Sequence, residues 1–179
     1  MKLQEIITFW FETIEPKLWW VKDEKFDQLL RDKFLDIHLK ACQGELVHWR
    51  TTAQGRLAEI IILDQFSRNI FRDTPRAFAQ DAMALVLAQE AINVGANEQL
   101  IGKQKAFLYL PFMHSESLFI HDLAVELFNE PGLEGNKQFE KQHRLIIERF
   151  GRYPHRNEIL NRQSSKQEKE FLTQPGSSF

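Results

Sequence analysis

The chain has 179 residues, and a formal net charge of −2 excludes a basic footprint spread over its surface for nucleic acid. Cys42 is the only cysteine, which excludes an intramolecular disulfide and a cysteine-rich zinc site and points to a reducing cytoplasm. A hydrophobic share of 43% suits a globular chain that needs no metal or disulfide staple, and apolar runs such as Ile60 to Leu63 are far too short for a membrane span.

Glycine and proline are scarce and stand where helices end, and no alternating β-branched run occurs. The pattern predicts an all-α fold in a single domain over residues 1–179, with 173–179 a frayed tail. Met1 to Phe11 lacks the apolar core of a signal peptide and opens a first helix over about Leu3 to Thr13 that Pro16 stops. Asp23 caps a second helix, which Gly44 ends. A third helix, about Gln54 to Arg72, is apolar on every face and must be enclosed by others. Thr74-Pro75 reads as a cap and first turn of a fourth helix reaching Val94. Asn97 caps a fifth, broken or kinked at Pro111. His114 or Ser115 caps a sixth, with Glu116 in its first turn. A seventh runs from Lys137 to Phe150, and Ser165 to Glu168 has the capping-box pattern of a last short helix. About eight helices on short connections suggest antiparallel neighbours, either in an irregular bundle or in a superhelix of helix pairs.

Several polar residues sit where burial is expected. Asp64 and Arg68 share a face of the enclosed third helix, followed by Asn69, and charges there must pair or border a wet cleft. Capping accounts for Ser115 and Glu116 but not for His114. His143 falls on an apolar face beside Phe139, Ile146, Ile147 and Phe150, the usual setting of a satisfied core histidine. Glu140, Arg144 and Glu148 step by four and read as a solvated ladder. Arg149 to Asn157 concentrates Arg152, His155, Arg156 and Asn157 around Pro154, with Arg162 close behind. Such arginines either tie helix ends and carboxylates together or form an anion pocket. Glu45-x-x-His48 and Glu140-x-x-His143 match the spacing of carboxylate-bridged metal bundles, but the further glutamates such a site needs are not evident. His121-Asp122 fits a half-exposed helix face. No metal and no cofactor is expected.

The runs Leu63-Asp64-Gln65-Phe66-Ser67-Arg68-Asn69-Ile70-Phe71, Tyr109 to Glu116 and Arg149 to Asn157 resemble, in order, the signature blocks of the bacterial domain of unknown function numbered 924. The resemblance extends from Trp10 to about Leu172. It implies a tetratricopeptide-like helical fold and carries no activity or catalytic residue with it. Ser67 stands where the family pattern has proline, Tyr153 where it has phenylalanine, Asn161 where it has glycine and His121 where it has glutamine.

The leading expectation is a binding module. Asp64, Arg68, Asn69, His114, Glu116, His143, Arg152, His155, Arg156 and Asn157 would converge on a pocket for a small anionic ligand or a peptide, with no nucleic-acid or membrane partner. The alternatives are a hydrolase using a histidine and a carboxylate for acid–base work, and a purely structural polar network.

Overall fold

The computed structural model describes residues 2–178, and every regular element among them is helical. Helix α1 (Leu3–Thr8) widens into a π turn at Phe9–Thr13 and stops short of Pro16. Helix α2 (Glu24–Cys42) starts where the Asp23 carboxylate accepts from the Phe26 amide at 2.9 Å, the cap its sequence predicts. Helix α3 (Ala53–Ile61), a π turn at Ile62–Phe66 and α4 (Ser67–Ile70) keep helical backbone angles throughout and form one rod. There follow α5 (Asp81–Asn93), α6 (Gly102–Met113), α7 (Leu118–Leu127), α8 (Glu134–Phe150) and α9 (Lys166–Phe171).

The rod is the centre of the core. Leu57, Ile60, Ile61, Ile62, Leu63 and Phe66 are all fully buried. Their faces are covered by α1, α5 and α6 against α3, and by α2 against the π turn and α4. Trp10 closes this core with its ring 5.5 Å from Phe66 and 5.6 Å from Phe107. Full burial of each such side chain stabilises by about 1.5–3 kcal/mol. Trp19 is half-buried on the same cluster, while Trp20 is mostly exposed.

The π turn of the rod ends at Phe66, and Ser67 follows it as the first residue of α4. A proline there would leave the Leu63 carbonyl without its usual i+4 donor. Here Ser67 Oγ donates to that carbonyl at 2.6 Å. The wider turn resets the angular position of every residue after it, and Asp64 lies inside it.

Several boundaries differ from the sequence reading. Pro111 is buried inside α6, which continues to Met113, so the helix runs through a residue that offers no amide to the Phe107 carbonyl four positions back. Pro75 opens only a short 3-10 turn, Pro75–Ala77, and the helix proper begins at Asp81. Asn97 caps nothing: it lies in a 3-10 turn and its amide donates to the Tyr109 hydroxyl at 3.3 Å. Helix α7 starts after Ser117, so Glu116 lies in the loop before it, and Ser115 Oγ accepts from the Ser117 amide. Gly151 takes the left-handed conformation that ends α8, φ +67°, and Ser165 and Glu168 form the expected capping box. Asn161 is left-handed at φ +53°, a conformation that favours glycine and that asparagine tolerates. In the tail, Ser177 Oγ donates to the Leu172 carbonyl at 3.2 Å, and Phe179 lies outside the described residues.

Candidate functional site

The enclosed rod delivers two opposite charges to one end of the α5–α6 interface. Asp64 is 1% exposed. Its Oδ1 accepts from Nδ1 of His114 at 2.7 Å and lies 2.9 Å from Nη1 of Arg68, while Gln65 donates to Oδ2. Arg68 also forks onto Asp81 at the start of α5, at 2.8 and 3.0 Å. Arg156 Nη1 donates to the same Asp81 at 3.2 Å. His114, Asp64, Arg68, Asp81 and Arg156 thus form one chain of alternating partners drawn from α6, the rod, α5 and the Pro154–Arg156 turn.

Burial disfavours the charged form of Asp64, but the Arg68 guanidinium and His114 outweigh it and hold the carboxyl well below the usual range. An ionised carboxylate only accepts, so Nδ1 of His114 carries the hydrogen. Burial and the Arg68 charge push the His114 imidazole below its ordinary value, against the pull of Asp64. The neutral ring therefore keeps a lone pair on Nε2, which bonds to nothing among the described residues.

His114 lines a cleft of about 380 Å³. One wall is apolar, built from Pro75, Phe78, Ala82 and Leu85, and Pro111 faces it. The polar end holds Asp81, His114, Ser115, Glu116 and Arg156. Arg156 is 5% exposed, with its guanidinium between the rings of Phe78 at 4.6 Å and Tyr153 at 4.5 Å. Its Nε is buried without a hydrogen-bond partner. A second depression, about 410 Å³ beside Phe9 and Phe34, contains no buried charged side chain among the described residues.

Of the ten residues expected to converge on a pocket, His114, Glu116 and Arg156 line this cleft, and Asp64 and Arg68 do not line it but bond to its residues His114 and Asp81. The other five do not line the cleft. Arg152 forks onto Glu168 at 2.7 and 2.8 Å and anchors α9. This ion pair holds Glu168 down at about 2. Asn157 donates to Ser164 and accepts from Arg162 Nε, inside the same anchor. Asn69 donates to Asp27 at 2.8 Å beside the Arg72 fork, tying α4 to α2. His143 donates from Nδ1 to the Phe139 carbonyl at 2.8 Å and packs on Tyr153, and burial lowers it to about 3. His155 packs tilted against Tyr153, 5.6 Å between ring centres, and is also lowered to about 3 by burial and the Arg156 charge.

Glu140 corrects the ladder reading. It is fully buried rather than solvated, because α7 packs on that stripe of α8 and brings His121 to 2.6 Å from its Oε1. Burial raises the Glu140 carboxyl despite His121. His121, expected half-exposed, is fully buried, and its Nε2 donates to the Ser115 carbonyl at 2.9 Å. Tyr153 donates its hydroxyl to the Met113 carbonyl at 2.5 Å and its amide to Glu116, which Arg162 also grips at 2.6 and 2.9 Å. The segment Met113 to Glu116 is thus held at three points, and His114 is carried rigidly between them. The Tyr153 hydroxyl and Nε2 of His121 lie 3.2 Å apart. Among the described residues no group of three or more histidine, cysteine or acidic side chains is arranged to hold a metal.

Asp81 and Phe78 were not expected at a site. With the fourth helix read as starting at Pro75, Asp81 falls inside it; only the structure puts Asp81 at the helix start, where the dipole favours negative charge.

A model of a bacterial protein family of unknown function, DUF924, matches residues 6–176. The chain belongs to that family. A solved structure of a protein of unknown function, ATU0120 from Agrobacterium tumefaciens, is similar at 38% identity and a TM-score of 0.90, over 95% of this chain and 96% of that one. No curated protein matches the chain. Among the described residues no helix is long and apolar enough to cross a membrane.

Proposed function

We propose that the chain is a binding module whose ligand site is the cleft between the Pro75–Leu85 segment and the Pro111–Glu116 segment. The ligand is a small anionic molecule or a peptide end with an apolar part. The observation that carries this reading is Arg156: a guanidinium 5% exposed, with Nε unpartnered, at the end of a cleft whose wall is apolar. An unsatisfied buried donor costs about 1–3 kcal/mol, which a ligand acceptor would recover. Burial already makes the charged form of Arg156 harder to hold, so an added anion is favoured there. The lone Cys42 speaks for a reducing cytoplasm, and the near-zero net charge speaks against nucleic acid.

A thermal-shift screen of small anions and short peptides tests this. A ligand at about a hundred times its dissociation constant stabilises by roughly 3 kcal/mol. The stabilisation should vanish in Arg156→Ala and persist in Arg152→Ala. Equal loss in both variants, or none in either, contradicts the assignment to this cleft.

A hydrolytic reading draws on the 2.7 Å hydrogen bond that orients His114 on Asp64, as a general base is oriented. It is the weaker reading for two physical reasons. Burial and Arg68 lower the basicity of His114, and Ser115 Oγ is engaged by the Ser117 amide rather than by the imidazole. Turnover of an ester panel that disappears in His114→Asn would reverse that order.

A further inference from the structure

Arginines in this chain grip carboxylates in two ways: Arg68 and Arg162 fork their Nη1–Nη2 ends onto Asp81 and Glu116, and others use the side edge. Arg50, Arg72 and Arg152 each present the Nε–Nη2 edge to Glu59, Asp27 and Glu168, with both bonds between 2.5 and 2.8 Å. Two parallel N–H groups on that edge match the two oxygens of a carboxylate. In Arg156 the pairing is different. Only Nη1 is used, on Asp81, and neither Nε nor Nη2 has a partner among the described residues. The edge that binds carboxylates elsewhere is uncommitted in the arginine that ends the cleft.

We propose, on the reading of this cleft as the ligand site, that it takes a monocarboxylate with an apolar body on the Nε–Nη2 edge of Arg156, and that one proton enters with it onto Nε2 of His114. The apolar wall of Phe78, Ala82 and Leu85 receives the body. A phosphate dianion fits less well, because the other guanidiniums nearby are engaged: Arg68 is forked onto Asp81 and Arg162 onto Glu116.

The proton follows from the charges around His114. The rod supplies Asp64 and Arg68, α5 supplies Asp81, and the Pro154–Arg156 turn supplies Arg156. With His114 neutral these cancel, so a bound carboxylate leaves one buried negative charge uncompensated. Protonation of His114 restores the balance and turns Nε2 into a donor toward the ligand, while Nδ1 stays on Asp64. The other titratable neighbours do not compete for the proton. Burial keeps His143 on α8 and His155 at about 3. Glu116, in the loop of His114 itself, is raised by burial but held below the usual range by its bonds to Arg162.

Calorimetry with hexanoate, in buffers of different ionisation enthalpy at about pH 7.5, should give uptake of roughly one proton per ligand, with affinity falling up to about tenfold per pH unit above this. Hexanamide should bind at least tenfold more weakly. A tripeptide ending in leucine, free or amidated, tells the source: if the free form outbinds hexanoate, the carboxylate is that of a chain end, and otherwise that of a free acid. Arg156→Lys should abolish binding. Should that variant not fold, His114→Asn should bind hexanoate at least tenfold more weakly at about pH 7.5, with no proton uptake and with an affinity that no longer changes with pH. Hexanamide or inorganic phosphate binding as tightly as hexanoate, or hexanoate binding without proton uptake, overturns the proposal. A methyl signal of Ala82 that moves with hexanamide as it does with hexanoate leaves the cleft reading standing while the carboxylate fails. No movement with any probe removes both.

Discussion

Nδ1 of His114 donates to Oδ1 of Asp64 across 2.7 Å, although fifty residues separate them. The bond joins the end of α6 to the π turn of the central rod and gives the open histidine nitrogen at the cleft its orientation. Asp64 is therefore both a core residue and part of the candidate site.

Asp64→Ala should destabilise the fold by about 3–5 kcal/mol, because it leaves buried Arg68 and His114 without their shared acceptor. Asp64→Asn should cost less, since an amide oxygen can still accept from Nδ1. Urea unfolding of the two variants checks the order. A loss under about 1 kcal/mol for Asp64→Ala would mean that Asp81 alone satisfies Arg68.

Acid should unfold the protein through its histidines. Burial and Arg76 lower His38 to about 4, and His143 and His155 stand at about 3. Each is lower folded than unfolded, so the unfolded chain binds more protons between about pH 6.5 and these values. The stabilisation is complete above about pH 6.5 and is lost as pH falls toward 3, by up to about 1.4 kcal/mol per unit for each histidine. Urea midpoints at about pH 7, 6 and 5 should fall steadily. A flat series contradicts the neutral burial of these rings.

Gly55→Ala should lower the melting temperature sharply. A Cβ there would lie 1.9 Å from the Trp49 carbonyl oxygen, a backbone atom that cannot rotate away. Thr52 caps the helix at the Gly55 amide, 3.1 Å, so the turn cannot open without losing that bond. The expected cost is at the upper end of the about 1–3 kcal/mol of an overpacked core. An unchanged melt would mean that the 3-10 turn at Val47–Thr51 shifts freely.

Tyr153→Phe should cost about 1–2 kcal/mol by leaving the Met113 carbonyl without its donor. It should also loosen the Met113 to Glu116 segment, read as faster amide exchange at Ser115 and Glu116. Exchange unchanged there would mean that His121 and Glu116 suffice to hold the segment.

What could be read in the sequence was local. Asp23, Gly151 and the Ser165–Glu168 box act within one turn of their own helices, and all three work as their spacing predicts. The Asp64–Arg68 pair is likewise a four-residue step. The rest depends on which helix lands where. Arg152 and Arg156 are four apart, yet the break at Gly151 and the 3-10 turn at Pro154–Arg156 send them to Glu168 and Asp81. Glu140 and Arg144 share a stripe of α8, but α7 crosses it so that Arg144 meets the exposed Asp122 while Glu140 meets the buried His121. Asp81 completes the charge chain from a helix start that carries no pattern tying it to Arg68.

The central claim is that the cleft offers an unprotonated Nε2 on His114 beside the uncommitted edge of Arg156. Nitrogen-15 NMR of the histidine side chains reads this directly. Near neutral pH His114 should give a protonated Nδ1 and an unprotonated Nε2, and its titration should lie below that of an exposed histidine, about 6.5. A hydrogen on Nε2 of the unliganded protein at that pH, as imidazolium or as the other tautomer, would contradict it.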